Sequence, residues 1–269
     1  MKKVISKEVL KQRILSFTGT SSGPRDYEEY TLSKAELTTG LVKGSGIILL
    51  FAYIFYRSAL FAVLASPLLI FYLKRERKLC IVKRKDNLTL QFREMMYSVI
   101  AGLQAGYSIE NCFRRALEDM LLLYGKNSLI CTELVYINRE LRNNKNIEDV
   151  LDAFAARAHV QDISDFSEVF RIAKRSGGDM PSILKNTADL ISDKIEVRRE
   201  INTQISAKKM EQGIMNLVPF GIIFYIDATS PGFFDPLYHN VTGVALMSAM
   251  MAVYLGAYIL GEKILNISY

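Results

Sequence analysis

Positive charge is partitioned along this chain more sharply than any other property. Of its 34 lysines and arginines, 8 lie in residues 1–43 and 24 in residues 74–212, leaving only Arg57 and Lys263 elsewhere. The stretches 44–73, 213–229 and 241–261 are almost wholly apolar, and the connection 230–240 carries no basic residue. Half of the residues are hydrophobic, too many for an ordinary soluble domain, and 23% are charged, too many for a pure membrane bundle. A chain partly in lipid and partly in water meets both figures. Lysine and arginine are retained on the cytoplasmic side during insertion, so block 74–212 is expected inside and 230–240 outside. Lys74, Arg75, Arg77, Lys78, Lys208 and Lys209 stand close to the apolar ends, where that rule acts most strongly.

The stretch 44–73 admits two arrangements. As one helix it would be about 45 Å long, needing a tilt near 50° to lie within a core of about 30 Å. It would also hold Arg57 near mid-membrane, at about 2.5–3.5 kcal/mol. A hairpin turning near Tyr56–Ser58 puts Arg57 at the far surface, but leaves arms of about 24 Å, so that Lys43 and Lys74 must snorkel or the bilayer must thin. The arm 1–43 holds 8 basic residues and belongs inside. An even number of crossings must then separate it from block 74–212, which favours the hairpin.

Block 74–212 reads as helix throughout. Leu88, Phe92, Met95, Val99 and Leu103 recur on one helical face. So do Ile109, Phe113, Ala116, Met120 and Leu123, then Ile130, Leu134, Ile137 and Leu141. Shorter stripes follow at Val150, Leu151, Phe154, Ala155 and at Ile163, Phe166, Val169, Phe170, Ala173. A last helix carries Leu184, Ala188, Ile191 and Ile195. Gly106 ends one helix and Ser108 is placed to cap the next; Asn146 starts another. Gly177–Gly178 breaks the chain, Asp179 is placed to cap, and Pro181 sits in a first turn, where its missing N–H costs nothing. The reading is an all-α integral membrane protein: a cytoplasmic arm 1–43 with a Gly/Ser/Pro-rich stretch at Thr18–Pro24 and one short helix at its start, a transmembrane hairpin 44–73, a cytoplasmic six-helix bundle 74–212, and a transmembrane hairpin with a short tail at 213–269.

No catalytic arrangement emerges, and the chain is expected not to be an enzyme or to need a cofactor or metal. Tyr124–Ser128 holds a Gly-Lys pair, but a phosphate loop needs a glycine where Met120 stands and Ser or Thr where Asn127 stands. Gly177-Gly178-Asp179 resembles the start of a nucleotide-cyclase signature, but Met180 and Pro181 follow and no strands flank it. His159 and His239 fall on opposite sides of the membrane in this topology, which argues against a shared metal; His159 is expected at a surface or helix end. The three cysteines, Cys80, Cys112 and Cys131, form no CxxC pair and no even disulfide set. Asp227 is the acidic group nearest a membrane segment; its place beside the loop predicts interfacial solvation. The basic runs Lys74–Lys78 and Lys83–Lys85 fit topology and attraction to anionic membrane lipids. No nucleic-acid motif accompanies them.

Three stretches resemble the type II secretion F domain: LQAGYSIENCFRRA at 103–116, RSGGDMPSILKNTADLISDK at 175–194 and SAKKMEQGIMNLVPF at 206–220. The resemblance covers roughly residues 85–262. With one such domain between two hairpins, the chain is similar to the shorter platform proteins of the tight-adherence (Tad) pilus, which occur as pairs of related subunits. The resemblance implies an oligomeric inner-membrane protein with both termini cytoplasmic. Its implied partners are a cytoplasmic assembly ATPase, a related platform subunit and a pilin, which the ATPase-driven platform extracts from the bilayer. It makes Arg175, Gly177, Gly178 and Asp179 a candidate ATPase contact, although Gly177 and Gly178 also read as a plain helix break. Gly106 marks a turn of the family pattern, and Pro219 is a candidate hinge in a membrane helix. The competing reading is a small oligomeric transporter or channel subunit, with Asp227 on its path.

Overall fold

The computed structural model describes residues 27, 34–57, 67–176, 179–238 and 240–265. Residues 1–26 of the expected arm, together with Ser58, Gly177, Gly178 and His239, lie outside the described residues. Eight α-helices occur among the described residues: α1 Lys34–Tyr56, α2 Pro67–Gln104, α3 Ile109–Tyr124, α4 Leu129–Arg142, α5 Ile147–Ala158, α6 Gln161–Ser176, α7 Met180–Thr229 and α8 Val241–Leu265. They form two compact units. One joins Met1–Thr31 to Leu79–Glu196, and the other joins Leu32–Lys78 to Val197–Tyr269. Helices α2 and α7 each contribute to both units without a break, because nothing between Lys74 and Lys78 or around Glu196 stops a helix.

In the first unit six helical segments run up and down around one core. Phe92, Phe113, Phe154, Phe166 and Phe170 are fully buried at its centre. Phe92 sits 5.4 Å from Phe166, edge to face, and 6.1 Å from Phe154, so one α2 side chain binds α5 and α6 together. The apolar stripes read from the sequence line this core, with one exception. Leu123 is 63% exposed, and so are its neighbours Leu122 and Tyr124. Three consecutive residues point in three directions around a helix. Together they span about 200° of the helix, the side turned away from the core, while Leu121 in the same turn packs against it.

The helix starts fall where the turn residues place them, but the caps differ. Ser108 and Asn146 occupy cap positions without making a side-chain cap bond. Asp179 does cap, accepting from the Ser182 backbone N–H at 3.3 Å. Ser128 also caps, accepting from Cys131 N–H at 3.4 Å.

In the second unit α1 ends at Tyr56 and Arg57 takes the left-handed region at φ 41°, so 44–73 is not one straight helix; residues 58–66, the expected turn and much of the second arm, lie outside the described residues. The chain then returns antiparallel: Gly40 faces Leu73, while Gly44 faces Tyr72 and Leu69 so closely that a Cβ would lie 3.2 Å from the Tyr72 ring. Helix α1 also begins at Lys34, well before the apolar run, because Leu37, Leu41 and Val42 extend its pattern. Its apolar part, Leu37–Tyr56, is 20 residues or about 30 Å, so the short first arm feared from the sequence does not arise. This segment and Thr242–Leu265 are the two helices among the described residues long and apolar enough to cross a membrane. The stretch 213–229 is the end of α7 rather than a separate helix, and Pro219 lies inside it. Rings from three helices meet: Phe220 is 5.3 Å from both Phe51 and Tyr254. Large apolar side chains, among them Leu49, Tyr53, Phe224, Val253 and Leu260, point outward from this unit.

Candidate functional site

The up-and-down order puts the turns before α3, α5 and α7 at one end of the first unit. Two contacts fix this. Phe113, early in α3, meets Phe170, late in α6, at 6.2 Å. Glu148, in the first turn of α5, accepts from Lys174 Nζ near the end of α6 at 2.7 Å. That end of the unit gathers Gly106, Arg175 and Asp179.

Each of these residues is held differently. Gly106 takes φ 79°, with its N–H donating to Leu103 O at 2.9 Å while Tyr107 N–H reaches back to Gly102 O at 3.1 Å. That pairing closes a helix through a left-handed residue, which suits glycine. Tyr107 projects beyond it, exposed, with the Arg115 guanidinium 4.5 Å from its ring centre. Arg175 is exposed on the last turn of α6, and exposed Asp179 opens α7. Gly177 and Gly178, between them, lie outside the described residues. Pro219 belongs to the second unit, so the structure does not group it with the others.

The third turn at this end is the one whose start the sequence placed at Asn146; its left-handed residue was not assigned there. Asn144 takes φ 59° between α4 and α5, and Lys145 pairs with Glu140. The signal was the run Asn143-Asn144-Lys145-Asn146, since asparagine tolerates the left-handed region. Glu148 is held in place electrostatically. Burial pushes its carboxyl up, but the Lys174 hydrogen bond, a backbone N–H and nearby positive charge outweigh that and leave it below the ordinary carboxylate value. Arg171 pairs with Asp152 on the same two helices.

The second unit carries charge at both ends. At one end Arg57 pairs with Asp227, lies 3.6 Å from Asp235, and stacks 5.1 Å from the Tyr238 ring centre. Tyr238 in turn donates to the Ile54 carbonyl at 2.7 Å. At the opposite end Arg75 pairs with Glu262. Arg57, just after α1, thus lies beside Asp235 and Tyr238 of the connection 230–240. Asp227 is not simply solvated, as expected from sequence; it has a cation beside it. In the turn before Pro219, the Asn216 carbonyl accepts from the Tyr254 hydroxyl at 3.1 Å, which ties α7 to α8.

Among the described residues no three His, Cys, Asp or Glu side chains converge as metal ligands would. Cys112 and Cys131 are buried, and burial pushes both thiols above their ordinary value. His159 is exposed in the left-handed region at the end of α5.

Residues 95–227 match the family model of the type II secretion system (T2SS) protein F. The matched span begins in α2, takes in α3 to α6, and ends in α7 at the Asp227 that pairs with Arg57. No curated protein and no solved structure matches the chain.

Proposed function

Residues 95–227 make this chain a member of the type II secretion F family, whose members act as inner-membrane platforms, and from that premise we propose that it is a platform subunit of a tight-adherence or related type IV pilus or secretion machine. It couples a cytoplasmic assembly ATPase to extraction of pilin subunits from the bilayer, without catalytic chemistry of its own. It crosses the membrane with both hairpins and keeps the bundle and both termini in the cytoplasm.

The observation that carries this reading is the turn end of the bundle. It presents an exposed Arg175, the capped start of α7 at Asp179, and the Gly106–Tyr107 turn on one surface. Helix α7, which starts at that surface, continues without interruption for 50 residues into the apolar segment. A contact made at Arg175–Asp179 therefore acts on the first turn of a helix that also belongs to the membrane unit. The apolar exterior of that unit and the basic residues Lys74–Lys78 and Lys208–Lys209 support its placement in an anionic bilayer. The transporter alternative rested on Asp227 as an intramembrane carboxylate, and its pairing with Arg57 at a helix end removes that support.

The test is co-purification of the tagged protein from its native membrane in mild detergent after brief crosslinking, with partners identified by mass spectrometry. Recovery of a secretion-type ATPase, a related platform subunit and a small pilin is expected. An intact, abundant preparation with none of these would refute the platform reading, and ion flux in liposomes would favour the transporter.

A further inference from the structure

Ahead of α1 the structure describes a single residue of the amino-terminal arm, Tyr27, and that residue is completely buried in the first unit. Its surroundings are more specific than an apolar core. The hydroxyl donates to Glu133 Oε1 at 3.0 Å, and the backbone N–H donates to the Arg157 carbonyl at 3.1 Å. The Arg84 guanidinium lies 5.0 Å from its ring centre. Glu133 is itself 1% exposed and is paired with Arg157, whose Nη2 donates to Oε2 at 2.9 Å. Arg157 is braced by the Ala153 carbonyl at 2.8 Å and by the Tyr136 ring at 5.0 Å.

We propose that α2, α4 and α5 form a tyrosine socket and that Tyr27 is the latch by which the amino-terminal arm is fastened to the bundle. Two features separate a latch from a core residue. The floor of the socket is built without Tyr27: the Glu133–Arg157 pair, the Ala153 carbonyl and the Tyr136 ring all come from α4 and α5, and they hold one another. The ring and hydroxyl then address different partners. Arg84 receives the face of the ring, the carboxylate receives the hydroxyl, and the Arg157 carbonyl fixes the backbone. A buried carboxylate awaiting an O–H donor selects tyrosine over phenylalanine. Only residues 28–33 separate Tyr27 from α1. The latch therefore fastens to the bundle, by non-covalent contacts, the segment of chain that leads into α1. The inference stands apart from the platform reading, since it concerns the arm of this chain and not its partners.

Hydrogen–deuterium exchange on the full-length protein in lipid nanodiscs tests it, read on peptides that contain Tyr27 and on peptides from α4 and α5. In the unmodified chain the Tyr27 amide should be protected. Tyr27→Ala should abolish that protection while α4 and α5 keep theirs. Tyr27→Phe, which retains the ring but leaves Glu133 without its donor, should reduce protection by about tenfold to a hundredfold. Exchange of the Tyr27 amide at the free-chain rate in the unmodified protein would show that the socket is not occupied, and would overturn the proposal. Loss of protection throughout the bundle in Tyr27→Ala would also overturn it, by making Tyr27 a core residue. Equal protection in Tyr27→Phe and the unmodified protein would remove the role of Glu133 in selecting tyrosine.

Discussion

Replacing Phe92 by alanine tests the core, because the ring is fully buried and touches Phe154 on α5 and Phe166 on α6. Truncating a buried phenylalanine removes its transfer free energy and leaves a cavity, together about 3–5 kcal/mol. The α2 backbone continues beyond the bundle, so the site cannot collapse by moving that helix freely; the upper half of the range is expected. The protein carries its own reporters. Cys112 is 1% exposed and Cys131 0%, and burial holds both thiols protonated, so a maleimide reaches them through opening of the bundle. In the regime where closing outpaces labelling, the rate follows the opening equilibrium, and each 1.4 kcal/mol is a factor of ten. Phe92→Ala should therefore label Cys112 and Cys131 about 700 to 4,000 times faster. Partly exposed Cys80 should react quickly and at an unchanged rate in both proteins. Phe92→Leu should fall between the two. Acceleration below tenfold would mean that Phe92 does not join α5 and α6, and the packing argument would fail.

Arg57→Ala and Asp227→Asn should each lower the midpoint of thermal unfolding in detergent. The charge-reversed double variant, Arg57→Asp with Asp227→Arg, should recover part of the loss; a double variant worse than the sum of its parts would mean that the pair does not bind the hairpins together. Reporter fusions at Arg57 and within 230–240 should read out on the same side of the membrane, opposite to one within the bundle; readouts on different sides for Arg57 and the loop would break the topology. Glu148, whose folded value lies below the ordinary 4.5, contributes stability that is complete above that value and is lost as pH falls through the lower folded one. Acid unfolding followed by circular dichroism should thus be shallower below about pH 4.5 in Glu148→Gln, and an identical acid limb would refute the Lys174 pairing. Gly106→Ala forces a side chain into φ 79° and should cost about 1 kcal/mol or more, whereas Gly106→Asn should cost less, since the space around it is open and asparagine tolerates the region.

Composition and order alone were enough to determine that this chain is helical and carries helices long and apolar enough to cross a membrane. The segregation of lysine and arginine is a one-dimensional property, and so is the 3.6-residue recurrence that marked Leu88 to Val99 or Leu184 to Ile195 as core. Glycine and asparagine at the turns act through their own backbone preferences, so Gly106 and Asn146 were legible as boundaries. What depended on pairs distant in sequence was not. The close approach of Gly40 and Gly44 on α1 to Leu69, Tyr72 and Leu73 on α2 is one such pairing. The exposure of Leu123 depends on which side of the last turn of α3 meets another helix. Arg57 and Asp227 stand 170 residues apart, and Tyr27 and Glu133 106. A single charge or a lone tyrosine in a polar arm carries no local mark of its partner. Burial of such groups becomes favourable only when the complementary group arrives from another helix, and that meeting is decided by the tertiary fold.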